Sequence, residues 1–434
     1  MKKGIFSKII LLILICFILY ILWLKSPLCS SYFYSKGKDL YNKGLYNESV
    51  RVFERALSAD PSNSASRFMY VQALSRSVPD YSVQESLYKM SKSETNDSAR
   101  TYAKSYVVRL KSRLLEGLED NYIYNAMLSK DIVHWNIESF PLKVYIEKAN
   151  DVPEHYNKSV EDAFIHWMQV FSFIRFTRVN DEKGADIVLK YAPYSGNNCQ
   201  NGVCKHIVAV TYPVIDKHHR LVNMDMTIHK TNYAGENYSK DEIYNSTLHE
   251  IGHALGVMGH SDVSEDVMYS SSNSKASYLF GLKKSRRNFS KRDINTVKLL
   301  YRLAPTITNT KVWYNEDLYY APLILGNDDE IIKNKLAEYR QYIERYPNFA
   351  SGYINISSLY SSLGEDAEAF KAIEKAEILA RSQNEKYLVE YNRAVLYYNK
   401  QNFSKALEHA QKAKTIKSGA GIDSLIEDIE NSLK

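Results

Sequence analysis

Cysteine is scarce in this chain, with four residues in 434, which excludes a fold built on disulfides. Net charge is small as well: 56 Lys and Arg stand against 50 Asp and Glu. So weak a basic excess does not describe a dedicated nucleic-acid binder. Long apolar runs are missing except at 9–24, which excludes a polytopic membrane protein. Hydrophobic residues make up 45% and charged residues 24%, an ordinary globular balance that excludes wholesale disorder and collagen-like sequence. The length suggests about three domains. The basic excess is concentrated, because six Lys and Arg fall within 283–292, as many as the whole net charge of +6. That run reads as a solvated face, or as a surface for anionic lipid or cell-wall polymer. Tyrosine, at 35 residues, reads as compositional bias.

The apolar run at 9–24 is preceded by Lys2, Lys3 and Lys8 and followed by Lys25. The positive flank places the N-terminus in the cytoplasm and the rest of the chain outside. No A-x-A-like cleavage site follows, so an uncleaved single-pass signal anchor is expected, the alternative being a cleaved signal and a secreted protein. Outside the cytosol disulfides are allowed. Cys199 and Cys204 sit in a Gly/Asn-rich turn, where they either form a local disulfide or stay as thiols.

Both ends of the chain read as helices. Counted back from Pro61 over a repeat of about 34 residues, Phe33, Gly37, Ser49, Phe53 and Ala56 fall at aromatic or small positions. Tyr353, Ala369, Ile373 and Ala376 repeat the pattern, and Ala394, Tyr397, Ala406, Ala410 and Ala413 repeat it again. A helix at about 329–345, closed by Pro347, precedes them. These stretches resemble tetratricopeptide repeats, which bind partner peptides in a concave groove. The middle of the chain differs. LKVYIEK, IRFTRVN, ADIVLKYAP, IVAVTYP and NMDMTIHK read as strands, with a helical pattern carrying Val160, Phe164, Trp167 and Phe171 after the first.

The stretch HEIGHALGVMGHSD carries the chemistry. His249 and His253 are four apart, so a helix presents both imidazoles on one face, where they can hold one zinc ion. Ser239 and Glu242 form a capping box at the helix start, and Tyr244, Leu248, Ile251 and Leu255 form its buried stripe. Gly256 suits a positive-φ helix end. The chain can then fold back to supply His260 as a third ligand, leaving a fourth position for water. Glu250 adjoins the first ligand and is placed to act as general base.

These residues resemble the metzincin metallopeptidases, the matrixin-like group in particular, from ADIVLKY through the HEIGHALG helix to FSKRDINTVKLLY. The resemblance implies an α+β peptidase domain with a mixed twisted sheet and long helices, one catalytic Zn2+, and endopeptidase activity. It implies that Met268 forms the methionine turn under the metal, and that a peptide lies antiparallel to an edge strand within 206–212. In the family the third histidine comes three residues after the glycine; here Gly259 holds that place and His260 follows, so the loop is one residue longer and Asp262 is a fallback ligand. A cysteine-switch propeptide is absent, and so are the long motifs of the matrixins' structural metal sites.

Four segments result: a signal anchor at 1–29, tetratricopeptide-like helices at 30–117, the zinc peptidase domain at 132–305, and tetratricopeptide-like repeats at 318–434. The expected function is a membrane-anchored, extracytoplasmic zinc endopeptidase whose repeats recruit a protein substrate or partner, with no nucleic-acid partner. The alternative is an interaction scaffold carrying an inactive peptidase fold.

Overall fold

The computed structural model describes residues 14–16, 18, 21, 23–78, 80–128, 130–194, 199–200, 203–204, 207–261, 263–269, 285–311 and 317–433. Among the described residues no helix is long and apolar enough to cross a membrane. Most of the apolar run at 9–24, on which the anchor expectation rests, lies outside them.

The chain divides into two compact units. The first contains helices α1 (Pro27–Asn42), α2 (Tyr46–Ala59), α3 (Ser64–Leu74), α4 (Tyr81–Ser93) and α5 (Asp97–Leu115), together with Arg302–Ala304 and Trp313–Leu325. Asn63, Asp80 and Asn96 cap α3, α4 and α5 by accepting from backbone N–H groups of the first turn. The α1–α2 hairpin closes on one glycine. A side chain at Gly37 would put its Cβ 2.8 Å from the Phe53 ring, and Ser49 Oγ donates to the Gly37 carbonyl at 2.8 Å. Phe53 is wholly buried there.

The second unit spans Gly117–Tyr301, Pro305–Val312 and Gly326–Lys434. It opens with the short helix α6 (Ile123–Ala126). A five-stranded sheet follows, built from β1 (Leu142–Ile146), β2 (Phe176–Val179), β3 (Ile187–Ala192), β6 (Ala209–Ile215) and β7 (Leu221–His229) in the order β2-β1-β3-β7-β6. The first four pair in parallel, and β6 runs antiparallel to β7, so the sheet is mixed and β6 is an edge. β3 is buried on both faces, as a parallel central strand must be. The edge strand begins two residues into the IVAVTYP stretch, with its register set by β7, Ala209 opposite Ile228 and Pro213 opposite Met224. A two-stranded ribbon, β4 (Cys199–Gln200) and β5 (Val203–Cys204), precedes it and pairs Cys199 with Cys204 in register. Their side chains, and with them the expected disulfide, lie outside the described residues.

Helix α7 (Glu154–Val170) packs on α8 (Lys240–Ala254). Its buried Trp167 and Phe171 stack on one another and meet Phe289 edge-on, just before α9 (Lys291–Leu300). After α9 come α10 (Asp328–Arg345), α11 (Ala350–Ser362), α12 (Asp366–Leu379), α13 (Gln383–Asn399), α14 (Phe403–Ile416) and α15 (Ala420–Leu433). Ala369, Ala372 and Ala376 let α12 approach Ile354 and Tyr360 closely. Ala394, Ala406, Ala410 and Ala413 form a second cluster that Ile422 and Ile429 of α15 cover. The sequence reading took α15 into the repeat segment at 318–434 without singling out its helix. That helix shields the last repeat's apolar face, which a terminal repeat cannot bury alone.

Phe53→Ala is expected to cost about 3–5 kcal/mol of unfolding free energy in urea, because it empties a wholly buried aromatic site that collapses little. A loss under about 1 kcal/mol would mean that the α1–α2 hairpin does not depend on this contact.

Candidate metal centre

Helix α8 is placed by its capping box and by hydrogen bonds from outside. Ser239 accepts from the Glu242 N–H, and the Glu242 carboxylate accepts from the Ser239 N–H at 2.9 Å. The Trp167 indole donates to the Leu248 carbonyl at 2.9 Å, and the Trp135 indole donates to the Ala254 carbonyl at 2.8 Å. The Tyr301 hydroxyl donates to the Leu255 carbonyl at 3.0 Å. The last two occupy carbonyls that a helix end leaves without internal partners.

The chain reverses at Gly256, which has φ +104°. A Cβ there would lie 1.9 Å from the Val133 carbonyl oxygen, so conformation and space both require glycine. The returning strand is pinned at both ends. Met258 N–H donates to the Ala126 carbonyl at 2.7 Å, and Ser261 N–H donates to the Met268 carbonyl at 2.9 Å. The extra residue of the loop is accommodated where α6 crosses it: a Cβ on Gly259 would sit 1.7 Å from the Asn125 carbonyl oxygen. Residue 259 therefore has no room for a side chain against α6, and the next residue, His260, supplies the imidazole.

This return brings His249, His253 and His260 together. Their ring nitrogens lie within 4.8 Å of one another, and the ring centroids are 4.8–5.2 Å apart. Nδ1 of His249 lies 2.8 Å from the Val267 carbonyl oxygen, and Nδ1 of His253 lies 2.6 Å from that of Val257. A carbonyl only accepts, so both Nδ1 atoms carry the proton and both Nε2 atoms keep a free lone pair. Burial holds all three imidazoles below the ordinary histidine range, His253 at about 4, and the neighbouring rings push His249 and His253 down further. The site is a set of neutral nitrogen donors, which fits a zinc ion. Asp262 lies outside the described residues.

Glu250 is 6% exposed, and its Oε2 has no hydrogen-bond partner. Burial pushes its carboxyl up to about 7 when no cation is near. Met268 is buried beneath α8, and it fits there because residue 252 has no side chain: a Cβ on Gly252 would overlap the Met268 sulfur. His249, Glu250, His253 and His260 share a cavity of about 410 Å³ with Val210, Thr211 and Tyr212 of the β6 edge.

Two buried carboxylates that the sequence reading did not single out lie behind the site. Asp266 accepts from Ser290 Oγ at 2.6 Å, from Arg292 Nε at 3.0 Å and from Ser261 Oγ. Asp293 accepts from the Tyr122 hydroxyl at 2.6 Å and from the Val267 N–H at 2.9 Å. Part of the basic run is thus structural. Arg292 pairs with Asp266, Arg287 donates to the Asp266 carbonyl, and Arg286 reaches Asp162 and Asp241 while lying 4.3 Å over the Tyr244 ring. The remaining described histidines serve elsewhere. His134, His155 and His229 contact backbone carbonyls through a ring nitrogen, His166 bonds the Tyr244 hydroxyl, and His218 sits in the Asp216 turn.

Residues 134–302 match the matrixin family of peptidases, and residues 30–63 and 350–381 match the tetratricopeptide repeat. The chain thus carries a matrixin domain flanked by tetratricopeptide repeats, as the sequence resemblance implied. The matrixin domain supports a metallopeptidase-like function with general zinc dependence, and the repeats support protein interaction. No match is found among curated proteins.

Gly256→Ala is expected to destabilise the metal-free protein by about 2 kcal/mol or more, since it forces an unfavourable φ and a backbone overlap together. Zinc affinity, measured by chelator competition, should fall at least about tenfold, as when the support of a ligand is lost. Unchanged zinc affinity would show that the reversal does not set the ligand geometry.

Proposed function

We propose that this protein is a zinc-dependent metalloendopeptidase that acts on protein substrates outside the cytoplasm. The observation that carries the reading is the convergence of three neutral imidazoles beside the unpartnered Glu250 Oε2. His249, His253 and His260 would hold the ion. When bound, zinc supplies a Lewis acid that polarises the scissile carbonyl and makes water acidic enough to attack it. A cation in the trio favours the ionised form of Glu250, the form a general base requires. Glu250 Oε2 takes the proton from the attacking water and returns it to the leaving amine. The β6 edge offers backbone donors and acceptors to an extended peptide, fixing its direction across the site. Met268, packed under Gly252, keeps the floor of the site apolar and rigid.

The flanking repeats fit recruitment of a protein substrate or partner. The Lys2, Lys3 and Lys8 flank of the apolar run supports a single-pass anchor in the cell membrane with the bulk of the chain outside it, secretion being the alternative. In that compartment a Cys199–Cys204 disulfide is allowed, and the ribbon register favours it.

Glu250→Gln should retain zinc yet lower kcat/KM on a peptide by about 10²–10⁴-fold. His260→Ala should weaken zinc binding, while Asp262→Ala keeps it. A zinc-loaded Glu250→Gln protein with undiminished turnover would overturn the base assignment. Zinc release by Asp262→Ala alone would overturn the ligand assignment. A zinc-loaded wild-type protein that cleaves no peptide or protein would leave the scaffold reading standing.

A further inference from the structure

One hydroxyl on the edge strand breaks the pattern of its face. The pairing of β6 with β7 sets Ala209 opposite Ile228, Thr211 opposite Met226 and Pro213 opposite Met224. Residues opposed across two strands lie on one face of the sheet, and Met224, Met226 and Ile228 are all buried. This is therefore the inward face. Ala209 and Pro213 give it the apolar side chains that strand alternation calls for, and Thr211 between them does not. A hydroxyl drawn out of water needs a partner.

The partner is Glu250. Thr211 Oγ donates to the Glu250 carbonyl at 3.2 Å. That carbonyl lies inside α8, where the helix ladder already supplies an N–H, so the backbone does not require the bond. The same hydroxyl also acts on the Glu250 side chain. Burial raises the carboxyl, and a hydrogen bond from Thr211 opposes that rise. A hydroxyl rotates, so its one proton can serve the carbonyl or the carboxyl. Among the described residues no other side chain bonds this carboxyl, and its Oε2 is left without a partner.

The two residues come from opposite walls of one cavity. Val210, Thr211 and Tyr212 line it from the strand, and His249, Glu250 and His253 line it from the helix. We propose that Thr211 is a positioning residue for Glu250. Its hydroxyl fixes the carboxyl relative to β6, so that a peptide paired to that edge and the base that serves it share one frame. The inference rests on the peptidase reading, and its test separates the two.

The full chain is used, zinc-loaded. Thr211→Val removes the hydroxyl at nearly constant shape, and Thr211→Ser keeps it. On a short fluorogenic peptide, Thr211→Val should lower kcat about tenfold and leave KM within about twofold, as expected when a hydrogen bond to a charged group is lost where the proton moves. Thr211→Ser should restore kcat. Zinc affinity by chelator competition should be the same in all three proteins, since the hydroxyl bonds Glu250 and not an imidazole.

A second readout needs no turnover. A peptide hydroxamate chelates the ion through two oxygens and donates a proton to a carboxylate beside it. Thr211→Val should weaken its binding about tenfold. In a Glu250→Ala background the same substitution should cost nothing more, because the hydroxyl acts through that carboxyl. Equal weakening in both backgrounds would overturn the proposal. So would a kcat that Thr211→Ser fails to restore, or a fall in zinc affinity with Thr211→Val, since each marks a structural role. A wild-type protein that hydrolyses nothing yet shows the Glu250-dependent loss would refute the peptidase reading and uphold the positioning. Hydrolysis that Thr211→Val leaves unchanged would do the reverse.

Discussion

Two of the three imidazoles leave the same helix, so their spacing follows from helical geometry alone. The third must be carried back to them by a chain that reverses within a few residues and stays there. That return is the constraint on which the site depends. It needs a positive φ at Gly256, a free path past the Val133 carbonyl, and a partner for the strand that comes back. α6 and the Met268 segment supply the partner through one backbone hydrogen bond each. Together they hold the returning segment, and His260 with it, against α8.

A second layer keeps this return rigid. Asp266 and Asp293 are buried carboxylates, each satisfied by several donors from segments remote in sequence. They tie the Met268 segment to the start of α9 and to Tyr122, just ahead of α6. Buried charges are costly unless fully hydrogen-bonded, so this network holds one arrangement and penalises the others. Arg292, which pairs with the Asp266 carboxylate, comes from the part of the chain that looked like a free basic surface.

Local signals were legible in the sequence. The spacing of His249 and His253, the Ser239–Glu242 cap and the reversing glycine each depend on neighbours within a few residues, and each appears where the sequence placed it. The repeats were legible for a related reason: Gly37, Ala369 and Ala376 are small because a helix packs against them. What the sequence hid depends on distant partners. Nothing near Gly259 announces that Asn125 will lie across it. The start of β6 is set by β7, and the roles of Asp266 and Asp293 are set by residues far along the chain. Helix α15 is a different case, since Ile422, Leu425, Ile426 and Ile429 carry a helical period that could have been read.

The β6 edge has a further consequence. An open edge beside the cleft of the three histidines invites any extended chain, including the same edge of another copy, and edge-to-edge pairing is a route to aggregation. Pro213 sits inside this strand. A proline is tolerated in an edge strand where its nitrogen faces the open side, because no ladder bond is lost there. That side then lacks one donor, in a strand where Tyr212 is already 65% exposed. A short peptide can dock on the residues before Pro213, but a second β6 cannot zip along the whole edge. The interruption that limits the length of a bound strand also hinders edge-to-edge pairing of two copies.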